Sequence, residues 1–429
     1  MIDVRDFGAI GDGVAKETAA LQRALDCGGT VYFPAGRYLT GTLYLKSNTS
    51  LQMEDGATLV GSPDIEDYNA VDFCPQNWES KVEKASGRHL LAAVEAKHVS
   101  IRGGCIDGNR AAFFDPDAQT RDEFTGWRPS QMLYFCETDD VRIEGVTLLN
   151  SPYWACFLHG CDNVFIDRVR ILEENRRAWN GDGIDIDCCK NVIVSNCNIE
   201  SSDDSLTVRA SGCNRLRRHD GVSENICVSN CILSSRQAAI RIGVGTGNIR
   251  NCTFSDLVMH NTSYGICINS CYAPKLFPSA VKGVTIENLL FSDILMDLHV
   301  PILISSTWQE DTLEHSGNLV HGLKMRNILA KAMNQIYMQG NPDFNHYGIS
   351  IEDALFEISG NECGDDCRLP LPKWMRQPCG LFMNNMKDVT FKDVRLQWNG
   401  QGPDYKRASI IQNSPGLRMI DCDFQEPKQ

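Results

Sequence analysis

The chain has no long hydrophobic run. Nowhere do eighteen uncharged apolar residues stand together, which excludes an ordinary membrane-spanning helix. Its start, MIDVRDFGAIGDG, lacks a basic segment followed by an apolar one, so the chain reads as soluble, unexported and cytoplasmic. Positive charge is also short: 41 Lys and Arg stand against 55 Asp and Glu, a formal net charge of −14. That balance argues against a nucleic-acid partner and against an anionic membrane surface. An acidic glycan is not excluded, because a basic groove can sit on an acidic protein. Low-complexity tracts are missing too, and with 42% hydrophobic residues over 429 positions the chain can form a packed core.

Cysteine, by contrast, is plentiful, with 19 residues. In a large chain without an export signal these read as reduced thiols. The C-x₃-C pairs Cys227/Cys231, Cys267/Cys271 and Cys363/Cys367 lack the paired C-x₂-C spacing of a zinc site, so no metal is expected.

A nine-residue pattern organises the sequence from about residue 98. Its copies are HVSIRGGCI, DVRIEGVTL, NVFIDRVRI, NVIVSNCNI, NICVSNCIL, NCTFSDLVM, GVTIENLLF, GLKMRNILA, GISIEDALF, DVTFKDVRL and GLRMIDCDF. The second and fourth positions are apolar, while the third and fifth are usually polar: the period of a strand. The first position, mostly Asn, Asp or Gly, suits a turn. Cys197, Cys231 and Cys422 share the seventh slot with Val146, Val169, Leu257, Leu289, Ile328 and Val394, which reads as a buried internal ladder. The shortest interval between copies, 23 residues (Asp140 to Asn163), is one coil of a parallel β-helix. A single coil cannot bury its apolar face, whereas stacked coils share one core. The expected fold is all-β: a single-domain right-handed parallel β-helix with a short N-terminal capping helix in KETAALQRALDCGG. Residues 1–75 would form the cap and first coils, and 76–429 the β-helix carrying the active site.

The stretch NGDGIDIDCCKNVIVSNCNIESSDDSLTVRA places Asp182 before one nonamer and Asp203–Asp204 after it, about one coil apart. On stacked coils such residues share a face. Glycoside hydrolysis uses converging carboxylates, one to protonate the leaving oxygen and one to activate water. Gly181 and Gly183 would leave room for a sugar ring. An Asp/Asn ladder serving turns explains the same spacing.

NGDGID followed by SSDDSLTV resembles the N-T-D-G-x-D … G-D-D signature of glycoside hydrolase family 28, the polygalacturonase family. DFGAIGDG, TVYFPAGRYLTGTLYLKSNTSLQMEDGATLVGS and DIEDY are similar to its bacterial members. The resemblance implies a general acid at Asp203, with Asp182 and Asp204 holding and activating water in an inverting displacement. It implies supporting positions at Asn180 and Asp185, an oligosaccharide substrate derived from pectin, and no cofactor. The family's G-H-G motif falls at Gln237–Ala238–Ala239, without its histidine. Its R-I-K motif falls at Cys267–Ile268–Asn269, without its cations. Arg209 and Arg241 are candidates either to grip a substrate carboxylate instead or to neutralise the acids. Trp308 and Tyr272 are candidate stacking platforms, and the loop SGCNRLRRHDGVSEN a candidate groove wall. Two other readings stand beside hydrolysis: a β-helix lyase or epimerase, and an inactive glycan-binding β-helix.

Overall fold

The computed structural model describes residues 1–427 except 72, 84, 115–126, 174–178, 213, 272–281, 314–316, 361–370 and 401–404. Tyr272, Cys363 and Cys367 lie outside the described residues. By internal contacts the chain divides into two compact units, 1–203 with 213–220 and 204–212 with 221–429. The division does not fall at residue 75. The capping helix, the first coils and four of the nonamers belong together to the first unit.

The fold is a parallel β-helix. In the first unit one sheet stacks Lys97–Arg102, Asp139–Glu144, Asp162–Asp167 and Lys190–Ser195 in parallel register. Val99, Val141, Val164 and Val192 therefore form one buried column, and Ile101, Ile143, Ile166 and Val194 a second. The opposite sheet stacks Leu43–Tyr44, Leu91–Val94, Leu133–Cys136, Cys156–His159 and Ile184–Asp187. The capping helix is Thr18–Asp26, which buries Leu21, Ala24 and Leu25. Its Gln22 side chain accepts a hydrogen bond from Tyr44 N–H (2.8 Å) and donates one to Tyr44 C=O (3.2 Å). The helix thus covers the open edge of the stack, where unpaired peptide groups would otherwise invite another strand.

In the second unit the nonamer strands lengthen to 13 or 14 residues: Val222–Ser235, Asn248–His260, Thr285–Leu298, Val320–Ala332, His346–Ile358 and Met386–Trp398, all parallel. Facing them are Leu206–Ala210, Ala238–Gly245, Tyr264–Cys271, Val300–Thr307, Ile336–Gln339, Cys379–Asn384 and Arg407–Gln412.

Pairing corrects one copy of the repeat. Cys252 opposes Leu289 and Leu257 opposes Ile294, so the in-register nonamer there is NLLFSDILM, 288–296, five residues beyond GVTIENLLF. Leu289 consequently leaves the seventh slot to Ile294, which continues to Ile328, Ala354 and Val394. With that correction the first and sixth residues of all eleven copies are left-handed, from His98 and Gly103 to Gly416 and Asp421. Ordinary side chains strain there by about 1–2 kcal/mol, and Gly, Asn and Asp least. The composition at those two positions is therefore set by the backbone.

The described cysteines are free thiols. Cys197 and Cys231 are buried as their ladder position requires, whereas Cys422 is half-exposed. Among the described residues no helix is long and apolar enough to cross a membrane.

Candidate active site

In the first unit the acidic loop runs between coils. Gly181 C=O accepts from both Ser202 N–H and Asp203 N–H (3.2 Å each), which ties the loop before one nonamer to the loop after it. Asp182 C=O accepts from Ala155 N–H at 2.8 Å, fixing the same loop to the coil below. As a result carboxylate oxygens of Asp182 and Asp203 lie within 4.8 Å of each other, in residues only 7% and 9% exposed. One water hydrogen-bonded to both oxygens at normal length spans about 4.6 Å. The same gap could seat a cation. Inverting carboxyl pairs usually stand roughly 6.5–9.5 Å apart. This gap between nearest oxygens is shorter, so spacing supplies no argument for inversion.

Asn180 adopts φ 55° and directs its N–H to Asp203 Oδ2 at 3.2 Å. Its own amide is held at both ends, Oδ1 by Arg128 Nη2 (3.1 Å) and Nδ2 by Glu83 Oε2 (3.1 Å). The rest of the Arg128 fork donates to the carbonyls of Pro152 and Trp179, and the guanidinium lies 5.0 Å from the Tyr153 ring centroid. Asn180 thus supports the Asp203 carboxylate. Asp185 lies in the strand Ile184–Asp187 opposite Phe157 and has no exposed surface, so it offers nothing to a sugar.

Gly181 is small for a different reason from the one its sequence suggests. A β-carbon there would come within 2.1 Å of Ser202 Oγ and 2.5 Å of Arg110 Nη2. Arg110 is fully buried, forms an ion pair with Glu173, and donates to Ser151 C=O at 2.6 Å. Burial pulls its pKa down, and Glu173 opposes that shift. Arg110, Glu173, Arg128 and Glu83 were not singled out from the sequence. Arg110, Glu173 and Ser202 each follow within four residues of the end of a nonamer, so coil register is the signal that would have found them.

In the second unit Asp204 is engaged by Arg241. Arg241 Nε donates to Asp204 Oδ2 and Nη2 to Oδ1 (3.3 Å), while Ala238 N–H also donates to Oδ1 (2.9 Å). Arg241 and Asp204 are both buried. Arg241 Nη1 reaches Asn269 Oδ1 at 3.3 Å and Cys267 Sγ at 3.5 Å, and Trp308 stands 5.8 Å away, edge-on to Tyr264. Of the two readings of Arg241, neutralising an acid is the one this geometry carries. Trp308 is half-buried against the cluster containing Ala238, Tyr264 and Cys267. Burial pushes the Cys267 thiol up to about 11, so it stays neutral where the family pattern has a cation. Arg209 is buried on the strand Leu206–Ala210. Gln237 is buried, its N–H donates to Ser235 Oγ (2.8 Å), and its Oε1 has no partner among the described residues. The division between the units falls at the Asp203–Asp204 peptide bond.

The cationic loop is committed elsewhere. Arg217 pairs with Glu95 (2.8 Å), Arg218 and His219 with Asp162 (3.2 and 2.8 Å), and Arg215 lies 4.4 Å over Trp78. These contacts anchor the loop within the first unit.

Comparison with known proteins gives concordant results. The model of glycosyl hydrolases family 28 matches residues 30–305. A "Probable polygalacturonase" of Vitis vinifera is 30% identical over 304 residues, covering 66% of this chain and 60% of its own length. An exo-poly-alpha-D-galacturonosidase of Dickeya chrysanthemi is 26% identical over 300 residues, covering 58% and 48%. The chain therefore spans about half to three fifths of these relatives. The family 28 exopolygalacturonase of Yersinia enterocolitica superposes with a TM-score of 0.73 at 19% identity, over 97% of this chain and 77% of that one, a likeness of fold.

Proposed function

Because the chain belongs to glycosyl hydrolases family 28, we propose that it hydrolyses a glycosidic bond in a pectin-derived oligosaccharide with Asp182, Asp203 and Asp204 as the reacting carboxylates. The observation that carries this reading is the approach of the buried Asp182 and Asp203 oxygens to within 4.8 Å, a gap that one water fits.

Asp203 is the general acid that protonates the leaving oxygen. Asp204, opposite a bidentate guanidinium, is kept as a carboxylate and acts with Asp182 on the attacking water. Water then enters from the face opposite the leaving group and the anomeric configuration inverts, an assignment that rests on the family pattern. Cys267 and Asn269, which stand where the family pattern has its cations, are neutral and buried, so plain polygalacturonate is a poor substrate and a modified, branched or differently linked oligosaccharide a better one.

The test is incubation with pectic and other oligosaccharides, with and without a chelator, products read by mass and fresh anomers by NMR. Hydrolysis with inversion, indifferent to chelator, is expected. Unsaturated products or loss of turnover on chelation would point to a lyase. Binding without turnover on every glycan would point to an inactive binding protein.

A further inference from the structure

On the long sheet of the second unit, Ile232, Val258, Leu295, Leu329 and Leu355 lie opposite one another on five successive strands. They occupy the eighth slot of the nonamer and face outward. Ile232, Val258, Leu295 and Leu329 are 43%, 40%, 50% and 49% exposed, and Leu355 is half-buried. Single exposed aliphatic side chains are ordinary, whereas an unbroken row of them marks a contact surface. The fold does not require the row: the same slot holds Thr147, Arg170 and Asn198 in the first unit, and Arg395 follows Leu355. The third slot of the same strands, also outward, carries the mixed set Thr253, Leu290, Lys324 and Ser350.

Beside the row runs a groove of about 370 Å³, with the buried Met259, Met296 and Ala330 in its floor. Its other wall, two residues further along each strand, is formed by His260, Asp297, Lys331 and Glu357. Along the stack these read imidazole, carboxylate, ammonium, carboxylate. Among the described residues no ion pair joins these four side chains to one another.

The order of the four groups is self-complementary. Reversed end to end and laid against itself, it sets His260 against Glu357 and Asp297 against Lys331. A two-fold axis between the two faces, running along the strands midway between the coils of Asp297 and Lys331, performs that reversal. It also keeps each slot over the same slot, so Leu295 meets Leu329 and Val258 meets Leu355. Strands of the two copies then run in nearly the same direction, the aligned mode of sheet packing. An axis along the stack would instead set each charge against its own counterpart or against the leucine row. A partner of another kind has no need of a reversible pattern.

We propose that this face is the isologous contact of a homodimer, the apolar row of each copy packed on that of the other and Asp297 paired with Lys331 across it. The contact removes from water the aliphatic side chains that a single chain exposes. It uses none of the residues assigned to the reaction, so it does not depend on the proposed hydrolysis.

The experiment is sedimentation velocity of the full chain over the micromolar range, where interfaces of modest size associate and dissociate. The mass should rise with concentration to that of two chains. Leu329→Glu brings an unpaired carboxylate into the centre of the contact twice, so association should weaken at least about 100-fold. Asp297→Lys and Lys331→Asp each set like charges together and should each weaken association about tenfold. The chain carrying both restores opposite signs and should associate as its parent does. Leu329, Asp297 and Lys331 are exposed, so folding is kept, and circular dichroism of the variants confirms it. A chain monomeric throughout overturns the proposal, whatever else binds the row. A dimer indifferent to Leu329→Glu overturns it as well, and so does failure of the double substitution to recover association.

Discussion

At Gly181 a β-carbon would overlap Ser202 Oγ and Arg110 Nη2, and the Gly181 carbonyl is what receives the Asp203 N–H. Gly181→Ala should therefore displace the acid and lower kcat by at least about tenfold, with a smaller effect on KM; steady-state kinetics checks this. Asp203→Asn should lose about 10²–10⁴-fold in kcat on substrates with poor leaving groups while binding is kept. Arg241→Ala leaves Asp204 buried without its partner, so stability should fall by about 3–5 kcal/mol. Turnover should fall on every substrate, charged or neutral. A KM rise confined to uronate substrates would instead mean that Arg241 grips the sugar. The approach of Asp182 to Asp203 could be read from the sequence because their spacing matches about one coil, whereas the chemical roles proposed for them and for Asp204 come from the family motif. Arg128 and Glu83 could not be read, because each reaches Asn180 from a stretch distant in sequence, and Arg110 with its partner Glu173 would have needed the coil register.

Two left-handed corners in every nonamer shape the elements of this fold. The first was legible as a recurrent Asn, Asp or Gly. The sixth carries the same preference but is obscured by Arg168, and the copy at 283–291 misled because Gly283, Asn288 and Asp293 are all left-handed. Only the pairing of Leu257 with Ile294 sets the register. Arg168 sits at such a corner with φ 51°, its exposed guanidinium 3.3 Å from Asp167. Surface pairs of that kind contribute little. Arg168→Gly should therefore stabilise by about 0.5–1 kcal/mol, relief of left-handed strain outweighing the added freedom of the unfolded chain. Urea unfolding decides, and destabilisation would mean that the Arg168 pair matters more than its exposure suggests.

For the whole molecule, acid is the weak condition. Burial holds His89 and His346 down to about 3, and burial assisted by Arg376 holds His299 down to about 4, against 6.5 when unfolded. Below pH 6.5 the unfolded chain therefore binds protons that the native chain refuses. Stability is complete above that pH and lost as it falls toward 4, by about 1.4 kcal/mol per pH unit for each histidine. Three such groups are enough to unfold a protein of ordinary stability in mild acid. Urea midpoints at pH 7 and 4.5 should differ accordingly, and an unchanged midpoint would refute the account. None of these histidines stood out in the sequence, since burial is a property of the coil face.

Asn180 is followed by Gly181, and an asparagine–glycine bond is chemically perishable: the next peptide nitrogen can attack the amide and release ammonia. Here the amide is clasped by Arg128 and Glu83 and the backbone is locked beneath Arg110. The hydrogen bonds that support the Asp203 carboxylate thus also work as a preservative. A protein loosened at Arg128 should age in storage, gaining a negative charge beside Asp203 and losing activity with time while a freshly made sample still works.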